Sequence, residues 1–338
     1  MSGVSMLDVA LDEAGLRLDR WFKRHYPELG HGRLERLLRT GQVRLDGKRV
    51  KAGDRIEAGQ AVRVPPLDQT NSSDTAASAN SERGNGERVL SRSDVDSIRA
   101  RILYRDDDVM VINKPAGLAV QGGTNTSHHL DGLLDALRFD AVERPKLVHR
   151  LDKDTSGVLV LARSTHAASK LTACFRGRDA RKLYCAITVG VAQPEGGHID
   201  LALAKESGPR GERVATAGEA GLKATTLYQV MDTIGDKAAY VHLSPLTGRT
   251  HQLRVHMLAL KTPILGDGKY GGAGAFLSGM ETAKQLHLHA RRIVMPHPRS
   301  GEIDVVAPLP PHMIETCGLL GFEPKSLALG FPGDDIQA

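Results

Sequence analysis

A chain of 338 residues with 41% hydrophobic and 25% charged side chains is long enough for about two domains, each with a core of its own. The net charge of +5 points to a polyanionic partner, while the 4% aromatic content excludes base stacking as a widespread binding strategy. No apolar run approaches the roughly 18–20 residues that cross a bilayer, and the N-terminus lacks the basic-then-apolar order of a secretory signal. Three cysteines without a Cys-x-x-Cys pair suit a reducing cytoplasm and argue against a zinc ribbon.

From Leu11 to Val64 the sequence is compact and basic. Leu18, Trp21, Phe22 and Tyr26 recur at helical spacing, so a helix with one apolar face is expected. A second helix over about 32–38 places Leu34, Leu37 and Leu38 on one side and Arg33, Arg36 and Arg39 on the other. Gly41 ends it, and Val43 to Val50 reads as a hairpin turning on Asp46-Gly47. From Asp12 to Val64 there are 13 Lys plus Arg against 8 Asp plus Glu, a surplus equal to the net charge of the whole chain. Residues 65–88, rich in Ser, Asn, Ala and Gly, cannot bury enough surface to offset their ordering entropy and read as a flexible linker.

Residues 89–320 alternate strand-like runs with a few helical ones, and residues 321–338, with Gly, Pro and acids, are expected to fray. Four segments carry chemistry. In Val111–Gly123 an apolar strand meets Lys114-Pro115. No phosphate-loop pattern is present, and Lys114 is the one candidate functional side chain there. In LVHRLDKDTSGVLVLAR a core strand, Gly157–Ala162, is preceded by His149, Arg150, Asp152, Lys153 and Asp154, an unusual density of charge. Asp154 can serve as a turn cap. Asp152, between Arg150 and Lys153, is held ionised and can act as a nucleophile or base. In RKLYCAITVG, Tyr184 alternates with the apolar set Leu183, Cys185, Ile187 and Val189 and faces the other side of its strand. In LTGRTHQLRVH, Arg249 stands at the entrance of a helix carrying Leu253 and Met257, a position suited to pairing with a carboxylate or phosphate. His251 and His256 lie five apart and do not form a helical zinc pair, and His287 and His289 alternate as structural strand residues.

Two resemblances tie these segments together. GRLERLLRTGQVRLDGKRV resembles the S4 RNA-binding domain, which implies that Arg33, Arg36, Arg39 and Arg44 meet phosphates of structured RNA. HRLDKDTSG, RKLYCAITVG, LTGRTHQLRVH, LGDGKYGG and LHLHARRIVMPHP follow the order and spacing of the RluA-type pseudouridine synthases, from about Leu103 to Pro311. His149 favours that branch over the small-subunit type, and NKPAGLAVQGG looks most like its RluC-like members, which act on large-subunit ribosomal RNA. Gln121 departs from the histidine common there.

The resemblance implies an α+β protein: a small S4 domain over 11–64, a linker over 65–88, and a catalytic domain over 89–320. The catalytic domain would be built on a mixed, largely antiparallel sheet with flanking helices and a central cleft, with a tail over 321–338. It implies that Asp152 is the catalytic carboxylate, with Arg249 as its ion-pair partner. Tyr184 would stack on the target uracil and is a candidate to assist proton removal. Arg150 would fill the gap left by the extruded uridine, with His149 and Lys114 among the RNA contacts. Isomerising uridine to pseudouridine involves no net redox change, so no cofactor and no metal are expected, and the implied partner of this cytoplasmic monomer is large-subunit ribosomal RNA, with no membrane. Asp152 could attack C1′, attack C6 of uracil, or remove the C2′ proton; all three need it ionised. The competing readings are another ribosomal site or transfer RNA, a non-catalytic RNA-binding assembly factor, and a glycosidase-like hydrolase. The last would require two carboxylates, with Asp154 the only near candidate.

Overall fold

The computed structural model describes residues 4–67, 91–122, 128–208, 211–218, 221–324, 327 and 329–334. Most of the expected linker, residues 68–88, lies outside them. The chain divides into two compact units, residues 1–88 and 89–338.

In the first unit, α1 (Leu18–His25) and α2 (His31–Arg39) accompany a three-stranded antiparallel sheet ordered β1 (Ser5–Asp8), β3 (Ala61–Val64), β2 (Arg44–Leu45). The helical spacing read from sequence is realised: Leu18, Trp21 and Phe22 are sealed in a core with Leu34, Leu37 and Leu38. Each such side chain contributes on the order of 2 kcal/mol by leaving water. Arg33, Arg36 and Arg39 stand on the exposed side of α2. The Asp46-Gly47 turn exists, with φ +49° and +76° as a mirror-image type I turn demands. The expected hairpin is shorter than its sequence suggests, however. Leu45 and Lys48 form only an isolated bridge, and Leu45 pairs with Val62 of β3 instead.

Glu13 organises this core. Its buried carboxylate accepts from Trp21 Nε1 at 2.8 Å and from the Ala10 amide at 3.3 Å, and lies 2.6 Å from His25 Nε2. Burial favours the neutral acid, but the hydrogen bonds of His25, Trp21 and Ala10 and the charge of His25 outweigh it and hold the carboxyl below its ordinary 4.5. A depressed folded value means the stabilisation is present above the unfolded pKa and is lost as pH falls through the folded one. Wild type is therefore expected to lose melting temperature steeply below about pH 4.5, whereas Glu13→Gln, already weaker at pH 7, shows a flatter acid limb in thermal melts. Parallel acid limbs would remove Glu13 from that role.

The second unit is built on an eleven-stranded sheet. Its long path runs β10 (Gly211–Thr216), β9 (Gly196–Gly208), β11 (Leu222–Ile234), β12 (Ala238–Pro245), β8 (Arg181–Val189), β13 (Leu288–Pro296), β7 (Ser156–Ala162), β5 (Val109–Lys114), β4 (Ile102–Arg105). Strand β14 (Glu302–Val306) pairs with β13, and β6 (Lys146–Leu147) with β7. Among the described pairings only β7–β13 is parallel, so the sheet is mixed and largely antiparallel. Every residue of β7 is buried, as its unbroken apolar run indicates. Gly157, at φ +110°, lies so close to β13 that a Cβ would sit 2.1 Å from the Ala290 carbonyl oxygen, which only glycine allows.

Helices cover both faces of the sheet beside this pair. Leu253 and Met257 of α5 (Gln252–Ala259) pack with Ala186 and Val241, while Met313 and Cys317 of α6 (Pro311–Leu320) pack with Cys185, Ile187 and Tyr240. The period-two alternation of β8 thus sends Tyr184 and Ala186 to the α5 face. Two more helices, α3 (Arg92–Arg99) and α4 (Thr165–Gly177), are N-capped by Ser91 and Ser164, whose hydroxyls accept from the Asp94 and Ala167 amides. The expectation of a fraying tail does not hold for the described residues beyond 321. Phe322 joins the α6 core, and buried Phe331 lies under the guanidinium of Arg181, 4.0 Å from its ring centre, while Asp334 pairs with Arg181. Two apolar anchors and an ion pair outweigh the local Gly-Pro content.

Candidate active site

Residues 149–155 form the segment that enters β7, and main-chain contacts fix it. The Thr155 amide donates to the Asp152 carbonyl at 3.2 Å, and the Gly117 amide to the Lys153 carbonyl at 2.9 Å. Lys114, at the end of β5, is fully buried, and its Nζ donates to the carbonyls of Pro115, Leu118 and Lys153 at 2.8, 2.8 and 3.0 Å. Burial pushes its ammonium down to about 7, against the opposing fields of Asp154 and Asp152. Lys114 is therefore not an RNA contact, as its place beside the Pro115 turn had suggested. With no exposed surface and three carbonyl partners, it clamps the Asp152 segment to the β5 turn.

His149 is likewise committed. The Val160 amide donates to its Nε2 at 2.8 Å, which places the ring proton on Nδ1, and the ring stacks on Phe175 at 4.3 Å. Burial, helped by the charge of Lys182, pushes it down to about 3, so it is neutral. It borders the cleft as a fastener of the loop.

That cleft has a volume of about 820 Å³, in the upper part of the range for ligand sites (about 300–1,000 Å³). Among the described residues that line it, eight are Lys or Arg, and one, Asp152, is a carboxylate. Asp152 is half-buried and makes no side-chain hydrogen bond or ion pair among the described residues. Arg150, beside it, is exposed at the rim and equally uncommitted. Tyr184 reaches the same space from β8. Burial, then the Asp152 carboxylate, pushes its phenol well above the ordinary 10, so the hydroxyl keeps its proton at neutral pH. A protonated phenol can stack and donate a hydrogen bond.

The expected Asp152–Arg249 ion pair is absent from the described residues. Arg249 precedes α5 and is exposed. Its Nε donates to the Lys223 carbonyl at 3.2 Å, and its amide to Gln252 Oε1 at 3.0 Å. It borders the cleft, but the guanidinium whose charge couples to Asp152 is that of Arg254, one turn into α5. Arg254 is buried and forms a two-pronged pair with Asp267, Nε to Oδ2 at 2.8 Å and Nη2 to Oδ1 at 2.6 Å. Burial disfavours its charge, but the hydrogen bonds and charge of Asp267 and the field of Asp152 more than compensate and raise it. The sequence held a signal for this residue: one charge inside an otherwise apolar helical run, Leu253 to Met257, must find a partner. Asp267, in LGDGKY, is that partner.

A second network adjoins it. The Tyr270 hydroxyl accepts from the Val214 amide at 3.2 Å and lies 2.6 Å from His251 Nδ1. The Tyr270 hydroxyl thus ties His251, which borders the cleft, to β10. In the first unit, Arg44 is turned onto its own loop, donating to the carbonyls of Gly41 and Gly47 at 3.1 and 3.0 Å. Among the described residues no group of three His, Cys, Asp or Glu is placed to hold a metal ion, and no helix is long and apolar enough to cross a membrane.

A basic cleft around one positioned carboxylate, an aromatic ring and a buried arginine suits chemistry on a nucleic acid. Residues 108–259 match the family described as RNA pseudouridylate synthase. The chain is 35% identical over 303 residues, 89% of its length and 91% of the relative's, to ribosomal large subunit pseudouridine synthase C of Salmonella typhimurium. It is 34% identical to the protein of that name from Pasteurella multocida, over 94% of each chain. The solved structure of human RNA pseudouridylate synthase domain containing 4 superposes with a TM-score of 0.57 at 31% identity, covering 68% of this chain and 96% of that one. The chain belongs to the RluA-type pseudouridine synthase family and is an enzyme of that class.

Proposed function

We propose that this enzyme isomerises uridine to pseudouridine at defined positions of large-subunit ribosomal RNA. The substrate named in its relatives and the cationic cleft around Asp152 support this reading. In the reaction the N1–C1′ bond breaks, C1′ rejoins the base at C5, C5 gives up its proton and N1 gains one. The target base must leave its stack to react, at a cost of a few kcal/mol. Arg150, uncommitted at the rim, is suited to take the vacated place. Asp152 acts beside the ribose as the catalytic carboxylate, Tyr184 stacks on the everted uracil, and Arg254, anchored by Asp267, lines the same cleft. Among the described residues lining the cleft only Asp152 is a carboxylate, which disfavours glycosidase chemistry, since that works with two.

Residues 11–64 act as an S4-type RNA-binding domain through the exposed arginines of α2, Arg33, Arg36 and Arg39, and the linker over 65–88 joins it to the catalytic domain. Mapping pseudouridines in ribosomal RNA from cells with and without the protein tests the substrate. One or more large-subunit pseudouridines are expected to vanish and to return on re-expression. A loss confined to transfer RNA would move the substrate, and an unchanged map would end the proposal. Removing residues 1–64 is expected to weaken RNA binding and flatten its dependence on salt; an unchanged slope would remove the S4 reading.

A further inference from the structure

The cations of the cleft are not equivalent. Several surface arginines of this unit find carboxylates: Arg144 pairs with Asp131 and Asp135, Arg181 with Asp334, and Arg292 with Asp304. Arg176, Arg178 and Lys182, at the end of α4 and the start of β8, line the cleft together, and none of them is in an ion pair among the described residues. The adjacent carboxylate of Asp179 turns back against the Gly177 backbone, where an added Cβ would meet its Oδ2 at 2.7 Å. Lys182 is half-buried, and its ammonium is pushed down by burial and then by the charge of Arg178; its further neighbour His149 is neutral. Like charges brought together in a partly dry cleft repel, and such an arrangement is favourable only once an anion occupies it.

The backbone adds an independent sign. Arg178 closes α4 at φ +69° and ψ 23°, the left-handed conformation in which its amide donates to the Cys174 carbonyl. Helices that end this way normally carry glycine or asparagine there, because a larger side chain is strained. An arginine at a position that favours glycine bears a backbone cost that a working side chain would offset. Lys182 lies two residues before Tyr184 on β8, so the two side chains leave the same face of the strand, about 7 Å apart. That is about the reach from a base to a nearby phosphate of its own strand.

We infer that Arg176, Arg178 and Lys182 form a binding subsite for one phosphodiester of the RNA strand next to the everted uridine, on the α4–β8 side of Tyr184. The inference rests on the proposed RNA substrate and adds the path of the strand: the backbone crosses the end of α4 as it leaves the site. Phosphate contacts position a nucleic acid without reading its sequence, so this subsite sets register, and the choice of base is made elsewhere.

The test uses Arg178→Gly, which fits the left-handed turn, together with oligoribonucleotides spanning the target uridine. Each oligonucleotide carries a single neutral methylphosphonate at one of the flanking positions. The variant is expected to melt at or above the wild-type temperature while KM rises roughly tenfold with little change in kcat. The salt dependence of RNA binding should lose about 0.7 in logarithmic slope. One methylphosphonate should weaken binding to wild type by a similar factor and have little further effect on Arg178→Gly. Arg176→Gln, at an exposed site, should couple to the same position. Additive effects at every position, or an unchanged KM and slope in the variant, would overturn the subsite. Binding is read by fluorescence anisotropy independently of turnover. Wild type that couples to one phosphate but forms no pseudouridine would therefore sink the isomerase reading and leave the subsite standing.

Discussion

Replacing Asp152 by asparagine is expected to reduce pseudouridine formation at least about 10³-fold, some 4 kcal/mol of transition-state stabilisation, while RNA affinity stays within several-fold. The change conserves shape. Thr155 and Lys114 hold the surrounding loop through its carbonyls, and neither contact involves the altered side chain. What is removed is the one negative charge among eight cations of the described lining. Affinity for a polyanion should if anything rise, since a carboxylate no longer opposes the phosphates. Arg254 stays paired with Asp267, so thermal stability should scarcely move. Single-turnover assays with radiolabelled RNA, alongside binding isotherms, separate these quantities. Turnover within tenfold of wild type would remove Asp152 from the chemistry, whichever of C1′, C6 or the C2′ proton it engages.

Arg254→Met should be the most damaging substitution to the fold near the site. It leaves Asp267, with 1% of its side chain exposed, charged and without its partner, a situation that costs about 3–5 kcal/mol. For a unit of this size that corresponds to a fall of roughly 10 °C in melting temperature. Turnover should be lost as well, because Arg254 lines the cleft that holds Asp152 and its guanidinium goes with the substitution. The double variant Arg254→Met/Asp267→Leu separates the two effects. Removing both charges is expected to restore most of the stability, as apolar replacement of a buried pair often does, and none of the activity. A double variant that is both stable and active would show that Arg254 serves only packing, and a single variant as stable as wild type would show that Asp267 is not stranded.

The elements that sequence predicted well are those set by local periodicity. The apolar run of β7 and the Leu-Trp-Phe spacing of α1 each carry their burial pattern in consecutive residues. The hairpin at Asp46-Gly47 was legible as a turn but not as a pairing, because β3, which captures Leu45, lies 16 residues beyond Leu45 at its first residue, Ala61. The site was legible in its parts and less so in its partnerships. Asp152 and Tyr184 stood out by the charge and alternation around them, and the structure brings both to one cleft. Arg249 stood out because it stands at a helix entrance; the charge of Arg254 inside a buried helical run was a signal too, but its partner Asp267 is supplied only by the tertiary fold. Lys114 invited a functional role as a lysine beside a proline turn, and the three carbonyls that enclose it come together only when β5 meets the Asp152 loop. Arg178 carried no periodic signal at all, since its distinction lies in a backbone angle.

The approach of Gly157 to Ala290 has a consequence for synthesis. The acid's own segment ends against main chain that leaves the ribosome more than a hundred residues later, and Ser156 meets His289 at 2.8 Å in the same place. A nascent chain that stops short of Leu288 already holds Asp152, Tyr184 and Arg254, yet lacks the strand that pairs with the start of β7, just past the acid. Modification competence therefore waits for β13 to emerge, and products terminated before it are born inert.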